Sequence, residues 1–143
     1  MQLKDVMTTH VQGISADQSV CEAAQAMERM RIGSIPVFRD GRPVGIVTDR
    51  DIVVRAVATR CDCSQKRVGE IMTEGLVTMP ETTDIADAAE EMEQRQIRRL
   101  LVTSESGEIV GVVSVGDIAA KAGQQQLSAQ LIEQLSLPAE PAR

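Results

Sequence analysis

Apolar residues in this chain change spacing on a regular schedule. Val20, Ala23, Ala24, Met27 and Met30 recur three or four apart, and so do Ile85, Ala88, Ala89 and Met92. That spacing lays each set along one face of a helix. Ser19-Val20-Cys21-Glu22 reads as a capping box at the first helix start, and Asp84 stands ready to cap the second. Short extended pieces precede both helices, at residues 11–14 and 76–79. After each helix come two apolar runs. Residues 35–38 and 43–47 flank Arg39-Asp40-Gly41-Arg42, and residues 100–103 and 109–113 flank Ser104-Glu105-Ser106-Gly107. Such runs around a Gly-containing turn predict hairpins. A second helix is expected after Thr48, to about residue 58, and again after Ser114, to about residue 122.

The schedule is the same in both halves because the sequence repeats. Val6-Met7-Thr8 matches Ile71-Met72-Thr73, Met27 matches Met92, Ile32 matches Ile97 and Val37 matches Val102. One residue inserted in the second turn brings GIVTDRD, residues 45–51, into line with GVVSVGD, residues 111–117. A single copy is too small to bury its sheet well. Two copies facing each other across a pseudo-two-fold axis, packed through their sheets, would share one core. The expected organisation is repeat 1 at residues 3–60, a polar linker at 61–67, repeat 2 at 68–123, and a C-terminal helix and tail at 124–143. Leu127, Leu131 and Leu135, four apart, give that last helix one apolar face.

Composition narrows the function. Hydrophobic content is 43%, yet the chain has one Phe and no Tyr or Trp, so its core is aliphatic and methionine-rich. Binding single strands by base stacking needs several rings, and duplex binding normally presents a basic face. With a net charge of −6, neither DNA nor RNA binding is expected. No stretch reaches the roughly 20 apolar residues of a membrane span, and MQLKDVMTTH has no signal pattern. A cytoplasmic protein with no membrane association is expected. Three cysteines, an odd count, make no disulfide framework.

The repeated word invites two explanations. Thr48-x-x-Asp51 and Ser114-x-x-Asp117 have the form of a helix cap, with the Asp favoured in the first turn. Equally, one carboxylate can accept both hydroxyls of a ribose through charge-assisted bonds. Gly45 and Gly111 would let backbone or ligand approach closely. Arg98-Arg99 precede Leu100, where the first copy has Gly33-Ser34. They are either a solvated strand edge or a phosphate contact, for which guanidinium geometry is suited. Arg50 reads as a surface residue within reach of the same chemistry. Cys61-Asp62-Cys63 supplies at most half a tetrahedral metal site, so no metal is expected there. With one histidine, His10, and no activated nucleophile, no catalysis is expected.

Taken in order, Val/Ile-Met-Thr, helix, hairpin and Gly-h-h-Thr/Ser-x-x-Asp resemble a cystathionine-β-synthase (CBS) domain. Two in tandem over about residues 3–123 resemble a CBS pair, or Bateman module. The resemblance implies an α/β (α+β) fold of two β-α-β-β-α repeats with inter-repeat clefts. It implies a regulatory protein that binds an adenosine-containing ligand there: AMP, ADP or ATP, ahead of S-adenosylmethionine. By the same resemblance Asp51 and Asp117 accept from ribose, and Thr48 and Ser114 face phosphate or ribose. Gly13-Ile14 and Thr78-Met79 offer backbone to adenine, Ile35-Pro36 and Leu100-Leu101 flank the base, and Arg98 and Arg99 serve phosphates. A homodimer of CBS pairs signalling to a protein effector is the implied assembly. The alternatives are a ligand-independent dimerisation scaffold and a thiol-based sensor using Cys61 and Cys63.

Overall fold

The computed structural model describes residues 1–9 and 12–121. His10 and the expected C-terminal helix with Leu127, Leu131 and Leu135 lie outside them. In chain order the elements are α1 (Leu3–Val6), β1 (Ile14–Ser15), α2 (Val20–Met30), β2 (Ser34–Arg39), β3 (Arg42–Thr48) and α3 (Asp49–Asp51), which continues as a π-helical stretch, Ile52–Val57. Then come α4 (Val68–Ile71), β4 (Thr78–Pro80), α5 (Ile85–Arg95), β5 (Arg99–Thr103), β6 (Ile109–Ser114) and α6 (Val115–Lys121). The fold is mixed α+β with two three-stranded sheets, ordered β1-β2-β3 and β4-β5-β6. In each, the first strand runs parallel and the third antiparallel to the middle one. None of the described helices is long and apolar enough to cross a membrane.

Two compact units emerge, and they are cut differently from the sequence repeat. The inner unit is continuous, Val11–Val77; the split unit joins Met1–His10 to Thr78–Arg143. Each therefore takes its Val/Ile-Met-Thr word from the repeat to which it does not otherwise belong.

Local chemistry sets the elements. Ser19 caps α2 by accepting from the Glu22 amide at 3.1 Å. The expected box closes on that side only, because the Glu22 carboxylate is turned to the Gln18 amide group, 2.8 Å away. Asp84 caps α5 through the Ala86 amide at 2.9 Å. Val20, Ala23 and Met27 are buried in the inner unit, but Ala24, on the expected face, is exposed. Ile85, Ala88 and Met92 are their buried counterparts. Both helices end in a left-handed residue, Arg31 and Gln96, each at φ 55°. The amides of Ile32 and Ile97 then return to the carbonyls of Met27 and Met92. Asp40 (φ 52°) and Gly41 (φ 75°) form the paired positive-φ turn that suits the twist of the first hairpin.

The third strand of each sheet receives a docked segment. In the inner unit the Ile46 amide donates to the Thr73 carbonyl at 3.0 Å and the Thr73 amide to the Ile46 carbonyl at 2.8 Å. A Cβ on Gly45 would lie 2.7 Å from the Thr73 carbonyl oxygen and 2.8 Å from the Met72 Sδ. The split unit repeats this: Thr8 and Val112 exchange backbone bonds at 2.9 and 3.1 Å, and Gly111 faces Met7 Sδ and the Thr8 carbonyl. Close approach of backbone is thus the first use of the glycine in each repeated word. Behind the docked segments, Leu3 and Val6 of α1 and Val68 and Ile71 of α4 are buried.

The polar linker has a structural task. Its carbonyls take the first amides of α2, which a helix cannot satisfy itself: Val20 donates to Lys66 at 2.9 Å and Cys21 to Cys63 at 3.0 Å. Val68 and Gly69 bond back to Gln18 and Ala16.

Substitution of the docking glycines is expected to be unequal. Gly45→Ala forces a backbone carbonyl aside and should cost about 1–3 kcal/mol. Gly111→Ala first meets the flexible end of Met7 and should cost less. Urea midpoints measure both, and equal losses would contradict the docking geometry. Arg31→Gly relieves a left-handed residue and should raise stability by about 0.5–1 kcal/mol after the added freedom of the unfolded chain; an unchanged or lowered urea midpoint would contradict this.

Candidate ligand site

Both repeated words form reciprocal caps. The Asp51 amide donates to Thr48 Oγ1 at 3.0 Å, and the Thr48 amide donates to Asp51 Oδ2 at 3.0 Å. Ser114 and Asp117 do the same at 3.0 and 2.9 Å. Each cap sits where a hairpin's second strand passes into a helix, so the carboxylate is fixed by strand and helix together.

Beyond the cap the two carboxylates differ. Asp51 is 7% exposed, and the Thr73 hydroxyl stands 3.1 Å from both its oxygens. Arg55 Nε lies 3.9 Å from Oδ1, while Arg55 Nη1 donates to the carbonyls of Ile71 and Met72. Asp51 is thereby spent on tying α3 to the docked segment, which satisfies its buried charge. Asp117 is half-buried, and among the described residues no protein donor reaches its Oδ1. Thr8 matches Thr73 in sequence, docking and exposure, yet no hydrogen bond joins it to Asp117 among the described residues.

Charge diverges beside the caps. Arg99 pairs in register with Ser114, and the Val115 amide donates to the Arg98 carbonyl at 2.9 Å. Arg98 is exposed and Arg99 half-buried. In the inner unit Ser34 pairs with Thr48, the Asp49 amide donates to the Gly33 carbonyl, and a Cβ on Gly33 would sit 3.0 Å from Asp49 Oδ2. The split unit therefore brings the backbone of two arginines to its cap, while the inner unit sets a carboxylate there. Arg50 is exposed.

The inner unit also holds a cavity of about 290 Å³. Gly13, Ile14 and Ile35 line one side, with Ala26 and Met30 of α2 completing the apolar part. Gln18, Glu22, Gln25 and Arg29 supply a polar wall along α2, with Gln12 at the rim. A Cβ on Gly13 would run into the ring of Phe38, so the bare backbone there is what accommodates the chain's one aromatic residue.

A family model, CBS domain, matches this sequence twice, over residues 3–57 and 68–122. The chain is a pair of CBS domains. It is 40% identical over 117 residues to the CBS domain-containing protein YhcV of Bacillus subtilis, covering 82% of each chain. The crystal structure of Hypoxic Response Protein I with two coordinated zinc ions is 31% identical, with a TM-score of 0.69 over 84% of this chain and 98% of that one. The CBS domain of the bacterial CNNM/CorC family Mg2+ transporter, in complex with ATP, shares the fold at 19% identity, with a TM-score of 0.74 over 87% of this chain and 89% of that one. Among the described residues of this CBS pair, no three His, Cys, Asp or Glu side chains gather into a group that could hold a metal ion.

Each expected set of site residues in the CBS pair falls within one compact unit. In the inner unit Gly13, Ile14 and Ile35 share the cavity; Pro36 is buried off its wall, and Thr48 and Asp51 lie off it at the adjoining cap. In the split unit Thr78 is exposed and Met79 half-buried on β4, paired with Leu101 and Val102. Leu100 and Leu101 are wholly buried, so they support β5 from within. The polar wall of α2 escaped the sequence reading, although Gln18, Glu22, Gln25 and Arg29 carry the helical spacing beside the apolar face. Thr73 and Arg55 escaped it too, because they meet Asp51 only after docking.

The difference between the two aspartates is measurable. Thr73→Val removes the hydroxyl from a buried carboxylate and should cost about 1–3 kcal/mol. Thr8→Val should change stability by about 0.5 kcal/mol or less. Comparable losses from the two substitutions in chemical denaturation would contradict the asymmetry.

Proposed function

We propose that this CBS pair is a regulatory module binding AMP, ADP or ATP, with phosphate recognition concentrated in the split unit. Support comes from one observation above the rest: among the described residues Asp117 keeps a carboxylate oxygen uncommitted beside Ser114, which is in strand register with Arg99. A ribose diol donates to that carboxylate, and the phosphates meet guanidinium groups in a fork geometry. The base lies against the β4 backbone at Thr78 and Met79. In the inner unit, Gly13, Ile14 and Ile35 take the base, but Asp49 opposes phosphate and Asp51 is already engaged. ATP binding by the CNNM/CorC domain is a property of that protein, and its shared fold makes the nucleotide class reasonable.

The module binds and signals without catalysing. A ligand shifts a conformational balance only through unequal affinity for two states, and a protein effector reads the result. A homodimer of CBS pairs is the proposed assembly. Val53, Val54 and Val57, at 58%, 49% and 59% exposure, give it an apolar surface, which equally serves a ligand-independent scaffold.

Thermal melting with AMP, ADP, ATP and adenosine tests the proposal. At about 100 times its dissociation constant, a true ligand adds roughly 2.7 kcal/mol of apparent stability. Arg98→Ala and Arg99→Ala should each weaken nucleotide binding about 10- to 100-fold, the worth of a charge-assisted contact, and leave adenosine unaffected. Asp117→Asn should weaken both classes while retaining the cap. No shift with any of the four at millimolar concentration refutes nucleotide binding and leaves the scaffold.

A further inference from the structure

Sequence draws attention to Cys61 and Cys63, but folding brings a different pair together. Cys21 lies in the first turn of α2, and its amide donates to the Cys63 carbonyl at 3.0 Å. A backbone bond of that length holds the two Cα atoms within about 7 Å, the outer limit for a disulfide, and its bent path brings them inside it. Both cysteines are half-buried, and Cys63 packs against the core of the inner unit. Its Sγ lies 3.9 Å from the Cys61 carbonyl oxygen. Cys61 is turned elsewhere, its Sγ 3.0 Å from the Thr59 hydroxyl, and a bridge from Cys61 to Cys63 would have to close across a single residue.

We propose that Cys21 and Cys63 form a reversible disulfide that fastens the inter-repeat loop to the first turn of α2. A low-molecular-weight disulfide such as oxidised glutathione is the oxidant. One protein thiolate attacks it, forming a mixed disulfide and releasing one glutathione thiolate. The second protein thiolate attacks the protein sulfur of that intermediate and releases the other glutathione. Two protein thiols lose two electrons and two protons, and one small disulfide becomes two thiols. The bridge covalently joins segments that the fold already joins by the Cys21–Cys63 and Val20–Lys66 backbone bonds. It also immobilises the turn that carries Glu22 on the cavity wall, and it holds the loop leading into α4 and the docked Met72-Thr73. This staple is independent of nucleotide binding.

The test uses the full chain, reduced, desalted and equilibrated with mixtures of oxidised and reduced glutathione. The expected product has lost about 2 Da and keeps one alkylatable thiol, at Cys61. Non-reducing tryptic peptides join Cys21 to the Cys61–Lys66 peptide. The melting temperature rises on oxidation, because closing the loop restricts the unfolded chain, and falls back on reduction. Cys21→Ser and Cys63→Ser each abolish the mass loss, and Cys61→Ser preserves it. The proposal is overturned if all three thiols remain alkylatable at a glutathione ratio as oxidising as that of a secretory compartment. It is overturned equally if Cys21→Ser still loses the mass, or if only glutathione adducts form. Should a serine variant fold poorly by circular dichroism, alkylating the oxidised unsubstituted protein and cleaving it before Asp62 separates Cys61 from Cys63 and assigns the pair.

Discussion

The contact on which this protein depends is a pair of backbone hydrogen bonds exchanged across a glycine. Thr73 meets Ile46 beside Gly45, and Thr8 meets Val112 beside Gly111. A side chain at either glycine would hold the segments apart. Once they close, α4 and α1 are drawn in with their apolar residues buried. In the inner unit Thr73 and Arg55 then converge on Asp51. The glycine that opens each repeated word and the aspartate that ends it therefore belong to one arrangement: the first admits the docked segment, and the second, in the inner unit, is bonded to it.

Around the caps the halves share strand registers and differ in side chains, although the inner unit's helix continues in π form and the split unit's does not. Asp49 and Val115 occupy matching positions, as do Ser34 and Arg99, and the strand registers around them agree. Exchanging these few residues inverts the local charge near the cap. Within a Debye length of roughly 8 Å such neighbours outweigh the net charge of the chain. A net charge of −6 overall thus does not fix the sign beside each cap, where arginines stand in one unit and an aspartate in the other.

What the sequence disclosed follows from the range of the interactions involved. Ser19, Asp84, Thr48 and Ser114 cap helices by bonds that span two or three residues, and the Asp40-Gly41 turn is equally local, so all were legible. Glu22 shows where locality misleads, since Gln18 competes for its carboxylate at the same helical spacing. The docked segments were not legible as such. Thr73 reaches Gly45 over a modest stretch of chain, whereas Thr8 reaches Gly111 from the other end of the molecule, and no periodicity encodes either. The linker misled for a related reason: its sequence is polar while its carbonyls complete α2, and only side chains appear in a hydropathy pattern.

Splitting one unit around the other has a consequence for the order of assembly. Val11–Val77 is uninterrupted, so a chain emerging from the ribosome can complete that unit before its second sheet has been made. Met1–His10 is made before the inner unit but finds its strand, β6, only after that unit has been synthesised. Loop closure across an unfolded inner unit carries an entropic cost that grows with the logarithm of length. A folded inner unit replaces that slack chain with a body whose ends are fixed. A segment made before the inner unit is thus secured after it, and until β6 is made its Leu3 and Val6 lack the unit in which they are buried.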